Sequence, residues 1–241
     1  MTRIFLPTPP SPNGIFQLGR DAKKRLIKVL RLKKGDSVDV WNPEKRWECC
    51  ISDIRPQGIE LEIVRELSLP PPSRIRLILG QAIPRGDRFE WLIQKATELG
   101  VAEIVPVLSA RTVGRPAHPE AKLQRWNEIA EHAAAQSENA QPPVIHKPHT
   151  LEQFLQRSAE GLKLLLHERE EARPLREILR NFPSNSITFI VGPEGGWTAE
   201  ETSRITAAGF HKAHLGARIL RAETAGLALA AILQYELGDF L

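Results

Sequence analysis

Two glycine-containing segments near the C-terminus hold the residues best suited to ligand binding. The first, residues 192–197 (GPEGGW), follows an apolar run typical of a buried strand, and the second, residues 215–226, follows a short predicted strand. Glycine adopts conformations closed to other residues and lets a backbone approach a ligand closely. Thr198 and Glu201 have the spacing of a helix capping box, so the first segment predicts strand, tight loop and helix. Open α/β sheets bind ligands at such places.

Five motifs resemble the 16S ribosomal RNA (uracil-N3)-methyltransferase family, within the SPOUT class. They are GPEGGWTAEE and LGARILRAETAGLAL in the two segments above, and upstream QAIPRGDR (81–88), QKATELGV (94–101) and VLRLKKGD (29–36). The resemblance covers nearly the whole chain and implies an α/β protein. A small PUA-like β-barrel domain that binds RNA (residues 1–70) would precede a mostly parallel sheet domain with a trefoil knot (residues 74–241). This chain departs from the family at Gln136-Ser137-Glu138-Asn139, where Gln-Ser-Gly-Arg is expected.

The resemblance implies S-adenosylmethionine as the cofactor, and the loop chemistry agrees. No phosphate-binding GxGxxG or GxxxxGK[ST] motif occurs. S-adenosylmethionine carries no phosphate and needs backbone amides, carbonyls and apolar contacts, which three strand-end loops can supply. The cofactor-binding residues carried over from the family are Leu166, His167, Glu168, Gly192, Pro193, Gly195, Gly196, Trp197, Leu215, Gly216, Ile219, Leu220, Arg221, Thr224 and Ala225. For Trp197, packing in the core is the alternative role.

Methyl transfer to uracil N3 needs an in-line nucleophile, and most of the rate comes from positioning. The N3 anion spreads onto O2 and O4, so Arg221 and Arg218 are candidates to stabilise those oxygens. An arginine is a poor base because it stays protonated. Glu223 or Glu194 is therefore the candidate base, with a structural role in the helix cap or the loop as the alternative for each.

Two other functions remain open from the sequence. One is a ribose 2′-O-methyltransferase of the same fold, and the other is a ribosome assembly factor that keeps the pocket without catalysis. Methylation of RNA with labelled cofactor, followed by nucleoside analysis, separates all three.

Positive charge is concentrated near the N-terminus. Residues 1–73 carry 13 Lys and Arg against 9 Asp and Glu, so the whole formal excess of +4 lies there. Such a block supplies phosphate contacts to RNA, although many charge runs are only solvated helix faces. The predicted RNA-binding residues are Arg20, Lys23, Lys24, Lys28, Arg31, Lys33, Lys34 and, further on, Arg85.

The elements that must position these loops follow from hydrophobic periodicity. Strands are expected at 37–41, 47–54 and 59–65, before a proline run at 70–72 that marks a boundary. Strands and helices then alternate, which predicts a mostly parallel sheet covered on both faces. Asp87 and Glu90 are expected to cap the helix over 87–99.

The remaining composition bounds the partners. There is no apolar run of membrane-spanning length and no signal-peptide core, which favours a cytoplasmic protein. Adjacent Cys49 and Cys50 predict reduced thiols, and the pairs His146/His149 and His211/His214 complete no metal set. The last helix is apolar nearly all round, so it must be buried on more than one side, and related enzymes pair through this region, which implies a homodimer. The family resemblance implies that the partner is 16S rRNA of the small ribosomal subunit.

Overall fold

The computed structural model describes residues 2–69, 71, 73–112, 118–139, 141–157, 160–167, 172–181 and 184–240. The chain divides into two compact units, which are described separately. The first comprises Met1–Pro72 and Ala134–Gln141, and the second comprises Ser73–Ala133 and Pro142–Leu241. The sequence placed a boundary at the proline run but did not assign residues 134–141 to the N-terminal part.

The first unit contains a five-stranded, mostly antiparallel sheet. Its strands are β1 (Thr2–Phe5), β2 (Ile15–Leu18), β3 (Ser37–Trp41), β4 (Arg46–Arg55) and β5 (Gly58–Leu67). Their order is β1-β3-β4-β5-β2, and β1 is parallel to β3. Alternating apolar residues of β4 and β5 face a core that includes Trp47, Ile51 and Leu61. Two register shifts between β4 and β5 increase the local twist.

The basic segment of the first unit, residues 20–34, begins as a short helix of unusual geometry. Helix α1 (Arg20–Lys23) continues directly as a π-helical segment, Lys24–Val29. Leu26 is its fully buried side chain, while Val29 is 68% exposed. Leu26, with the partly buried Ile27 beside it, therefore anchors the segment to the core, while much of its surface is left to solvent.

The second unit is built on one parallel sheet, as predicted. Its strands are β6 (Arg76–Ala82), β7 (Glu103–Leu108), β8 (Val144–Ile145), β9 (His149–Thr150), β10 (Leu162–Leu166), β11 (Arg173–Pro174), β12 (Ser186–Val191) and β13 (His211–His214). The order is β11-β13-β10-β12-β6-β7-β8, and β9 also pairs with β7. Central strands such as β12 read as continuous apolar runs because both of their faces are covered.

Helices cover the two faces of this sheet. They are α2 (Arg88–Glu98), α3 (Pro119–Ser137), α4 (Leu151–Arg157), α5 (Leu175–Asn181), α6 (Ala199–Ala207) and α7 (Ala222–Leu237). One core joins the sheet to α2, α3, α5 and α7, and includes Phe89, Trp126 and Leu229. A second core, with Phe154 and Ile205, joins the other face to α4 and α6. The strands of the sheet therefore lie between two packed layers of helices.

One predicted cap is wrong. Asp87 occupies the N-cap position of α2, but its side chain makes no capping hydrogen bond. Its backbone lies at φ −86° and ψ 4°, away from the extended conformation in which an N-cap side chain reaches the first turn. Glu90 instead forms ion pairs with Lys122 and Arg125 of α3.

Candidate active site

The three predicted loops follow three neighbouring strands. β13, β10 and β12 lie side by side and parallel, so their carboxyl ends meet at one edge of the sheet. At this edge Leu166 pairs with Ala213, and the His167 amide donates to the Ala213 carbonyl at 3.0 Å. Glu168 lies outside the described residues. The sheet thus brings together loops that are distant in sequence.

The glycine loop after β12 is a tight turn. The Gly196 amide donates to the Pro193 carbonyl at 2.8 Å, and Gly196 has φ +70°, which favours glycine. Gly192 is needed for space, because a Cβ there would lie 2.9 Å from Nε1 of Trp197. The Trp197 indole packs against the core that includes Ile190. This contact supports the structural role for Trp197.

The predicted capping box after this loop is confirmed. The Glu201 amide donates to the Thr198 hydroxyl at 3.1 Å, and the Thr198 amide donates to Glu201 Oε2 at 2.8 Å. The other carboxylate oxygen, Oε1, accepts from the Ala110 amide at 2.7 Å. Glu201 is buried, and its bond to the Ala110 amide joins α6 to the loop after β7.

Two arginines contact the glycine loop, and neither contact was predicted from the sequence. Arg111, in the loop after β7, donates from Nη1 to the Gly195 carbonyl at 2.6 Å. Arg88, the first residue of α2, donates from Nη1 to Glu194 Oε1 at 2.6 Å. Both come from distant parts of the chain. The signal that could have found Arg88 is a basic residue at a helix N-terminus, where the helix dipole disfavours positive charge.

The loop after β13 is open to solvent. Ile219 is 94% exposed, and the side chains of Arg218 and Arg221 form neither ion pairs nor hydrogen bonds with any described residue. Gly216 has φ +129°, and its amide donates to His214 Nδ1 at 3.2 Å. Arg221 is the N-cap residue of α7 and has extended backbone. Both candidate catalytic arginines are therefore free to contact a ligand.

The other predicted residues of this loop fall into two groups. Leu215 and Ala225 pack against the main core of the second unit. Leu220 is half-buried, and Thr224 is exposed in the first turn of α7.

Glu223 is the buried acid of this site. It lies in the first turn of α7, and its Oε1 is 3.8 Å from Nε of Arg88. Its Oε2 is buried and accepts no hydrogen bond from the residues that the structure describes. Gln81, at the carboxyl end of β6, likewise has a buried Oε1 without a described donor. A Cβ on Gly226 of α7 would lie 3.0 Å from that oxygen.

The basic segment of the first unit presents most of its charges to solvent. Arg20, Lys24, Lys28, Arg31, Lys33 and Lys34 are exposed. Lys23 is half-buried, and its Nζ donates to the Arg55 carbonyl at 2.6 Å and to the Pro56 carbonyl at 3.4 Å. Lys23 therefore fastens α1 to the β4–β5 turn. Arg85, in the second unit, is exposed in the loop between β6 and α2.

One of the potential metal ligands, His146, is engaged by charged neighbours. His146 donates or accepts at both ring nitrogens, with Glu103 Oε2 at 2.7 Å and Arg157 Nη1 at 2.9 Å. No group of three His, Cys, Asp or Glu suited to a metal occurs in the described part of the chain.

Cys49 and Cys50 are free thiols, and burial raises the pKa of Cys49 to about 12. None of the helices in the described ranges has the length and hydropathy of a membrane span.

The arrangement of the three loops agrees with the proteins to which this chain is similar. Residues 71–234 match a family model described as an RNA methyltransferase domain. The ribosomal RNA small subunit methyltransferase E of a Synechocystis species is 40% identical over 86% of this chain and 69% of its own length. The Bacillus subtilis protein of the same name is 29% identical over 92% of this chain and 90% of its own length.

Solved structures give the same result. The Neisseria gonorrhoeae ribosomal RNA small subunit methyltransferase E, bound to S-adenosyl methionine, has a TM-score of 0.90 and 33% identity over the full length of both chains. A Legionella pneumophila methyltransferase in complex with SAM has a TM-score of 0.91 and 31% identity over 99% of each chain. These relatives confirm the resemblance that the five motifs predict. The chain belongs to the RNA methyltransferase domain family and, within it, to the ribosomal RNA small subunit methyltransferase E family.

Proposed function

We propose that this protein is an S-adenosylmethionine-dependent methyltransferase that methylates N3 of a specific uridine in the 16S rRNA of the small ribosomal subunit. The observation that carries the proposal is the meeting of three non-phosphate-type loops at the carboxyl ends of β10, β12 and β13. In this proposal the enzyme is cytoplasmic and acts on ribosomal RNA.

The residues of the site fit the cofactor. Gly195 is exposed and, although its carbonyl accepts from Arg111, the space beside its Cα is open, since a Cβ there would meet nothing nearer than Arg111 Cδ at 3.5 Å. The half-buried Leu166, His167 and Leu215 line the neighbouring strand ends, and the exposed Ile219 can fold over a bound adenosine. When bound, S-adenosylmethionine supplies an electrophilic methyl group.

The chain's own residues supply the remaining chemistry. Arg218 and Arg221 stabilise the negative charge that develops on uracil O2 and O4 as the N3 proton leaves. Glu223 accepts that proton on Oε2, which has no described donor of its own. The methyl group then bonds to the N3 lone pair, and the sulfonium leaves as a neutral thioether.

The product of the reaction tests the proposal. The protein is incubated with labelled S-adenosylmethionine and either 16S rRNA or small subunits, and the RNA is digested to nucleosides. We expect label in N3-methyluridine. Label in a 2′-O-methylated nucleoside would identify the ribose methyltransferase instead, and binding to subunits without label would identify an assembly factor.

The finer fold assignments are part of the same proposal. After β12 the chain reaches β13 on the far side of β10, and α7 then returns to pack against α2, β6 and β12. We propose that this return path passes through an earlier loop to form a trefoil knot, although knots are rare in proteins. The sheet of the first unit, with its two register shifts, is proposed to form a PUA-like barrel.

The enzyme is proposed to act as a homodimer. One side of α7 packs on the sheet, with Ile232 partly buried against the same core, while Tyr235 is 70% exposed. Such a face is suited to a two-fold contact with a second copy. Sedimentation at micromolar concentration should give a dimer, and a monomer would contradict the proposal.

Mixing Arg221→Ala with a variant lacking the N-terminal charges should restore part of the activity if two subunits share one site.

A further inference from the structure

Arg88 occupies a position that local electrostatics disfavours. It is the first residue of α2, where the helix dipole favours acidic side chains, and its N-cap Asp87 makes no side-chain cap. The contacts of the guanidinium must offset this cost.

Those contacts join two of the three loops. Nη1 donates to Glu194 Oε1 of the glycine loop at 2.6 Å, and Nε lies 3.8 Å from Glu223 Oε1 in the first turn of α7. The Glu194 side chain is 36% exposed, whereas that of Glu223 is only 8% exposed. The buried Glu223 carboxylate therefore has Arg88 as its ion-pair partner among the described residues. Without a cation between them, the two carboxylates would repel each other.

Arg111 provides a natural comparison. It also contacts the glycine loop, but through the Gly195 carbonyl, and it forms no ion pair with Glu223 or any other described acid. Arg88 and Arg111 thus share the loop and differ in whether they reach α7.

We propose that Arg88 is a positioning residue that sets the glycine loop and Glu223 in register, so that cofactor and proton acceptor are fixed relative to one another. This inference rests on the proposed function and extends it to a residue outside the three loops. A lysine can supply one cation but not the two directions of a guanidinium, so it replaces the arginine only in part.

The test compares Arg88→Ala, Arg88→Lys, Arg111→Ala and Arg125→Ala. Arg125 is the matched control, an exposed arginine of α3 whose partners are Glu90 and Glu128. S-adenosylmethionine affinity is measured by calorimetry, kcat and KM by RNA methylation, and folding by thermal unfolding. We expect Arg88→Ala to weaken cofactor binding about 10-fold and to lower kcat about 10-fold, each equivalent to about 1.4 kcal/mol.

The variants separate positioning from loop support. Arg88→Lys should recover part of both losses, Arg111→Ala should raise KM for the cofactor with little change in kcat, and Arg125→Ala should match the unaltered protein. If Arg88→Ala does not fold, Glu194→Gln tests the same ion pair and should weaken cofactor binding. Equal kcat in Arg88→Ala and the unaltered protein would overturn the inference, as would identical kcat and KM changes in Arg88→Ala and Arg111→Ala.

The proposed function and the inference can fail separately. An unaltered protein that methylates no RNA contradicts the function. An unaltered protein that methylates RNA, matched by Arg88→Ala, contradicts only the role of Arg88.

Discussion

Three glutamates near the strand-end loops have different environments. Both carboxylate oxygens of Glu201 accept backbone amides, and Glu194 is bound by Arg88. Glu223 is buried with one oxygen that accepts nothing from the described residues. Free acceptor capacity, rather than residue type, distinguishes the acid suited to chemistry from those suited to structure.

Replacing Glu223 with glutamine should therefore lower kcat with little effect on cofactor affinity. The amide keeps the size of the side chain but cannot take up a proton, and loss of a general base costs about 10²- to 10⁴-fold. Single-turnover methylation and calorimetry measure the two quantities. Glu236→Gln, an exposed acid of the same helix, is the control. A Glu223→Gln variant with unchanged kcat would assign the residue to the helix alone.

The glycine loop gives a second residue-scale prediction. Gly192→Ala should lower the melting temperature, because its Cβ would lie 2.9 Å from Trp197 Nε1. Gly195→Ala has no such clash and no left-handed φ, so it should leave the melting temperature unchanged and weaken S-adenosylmethionine binding. Thermal unfolding without cofactor and calorimetry with it test the pair. If Gly195→Ala binds the cofactor normally, the loop does not approach it at this residue.

The sequence could predict the glycines and the capping box because both are local. It could not predict Arg88 and Arg111 as partners of the loop, since only the folded sheet brings α2 and the loop after β7 to Glu194 and Gly195. The exposure of Ile219 was equally inaccessible to a local argument.

At the scale of elements, a charged cluster joins strands at the opposite edge of the sheet. Glu103, at the start of β7, accepts from Arg76 of β6, from His146 after β8 and from Arg157 of α4. Arg157 donates to His146 Nδ1, so the ring is neutral with its proton on Nε2. Burial, together with the charge of Arg157, lowers the pKa of His146 despite Glu103. Burial opposes ionisation of Glu103, but the bonds from His146 and Arg76 outweigh it and lower its pKa.

These directions predict how stability depends on pH. A histidine with a lowered pKa in the folded state stabilises the fold fully above its unfolded value of about 6.5, and the contribution is lost as pH falls below that value. The free energy of unfolding, measured with denaturant at pH 7.5 and 5.5, should fall more in the unaltered protein than in His146→Gln. His118→Gln, an exposed histidine, is the control and should behave like the unaltered protein. Equal losses in all three would show that folding does not lower the pKa of His146.

Elements with strong periodicity were predictable and others were not. Strand β3 has the predicted bounds, because it is a clear apolar pattern between turn residues. Strands β1 and β2 were missed, since each has four residues and they flank a segment rich in proline. The Asp87 cap failed because spacing alone does not fix the backbone angles of the residue.

On the scale of the molecule, the charge asymmetry of the chain has a structural counterpart. The formal excess of +4 lies in the first 73 residues, and six of the predicted RNA-binding residues there are exposed. None of these six side chains forms an ion pair with a carboxylate in the ranges that the structure describes. A surface of unpaired cations favours a polyanion such as RNA.

Replacing Lys24, Lys28, Lys33 and Lys34 together with glutamine should therefore weaken RNA binding and flatten its salt dependence. Each lost phosphate contact should reduce the slope of log K against log salt by about 0.7 on single-stranded RNA, somewhat less than the value of about 0.9 for duplex DNA. Lys23→Gln alone should change the slope little and stability more, because its ammonium bonds the β4–β5 turn. Lys45→Gln, an exposed lysine paired with Glu66, is the control. Filter binding to 16S rRNA between 50 and 200 mM salt measures the slopes, and cofactor affinity should stay constant throughout. An unchanged slope in the fourfold variant would show that the basic segment is only a solvated surface and that RNA binds to another face of the protein.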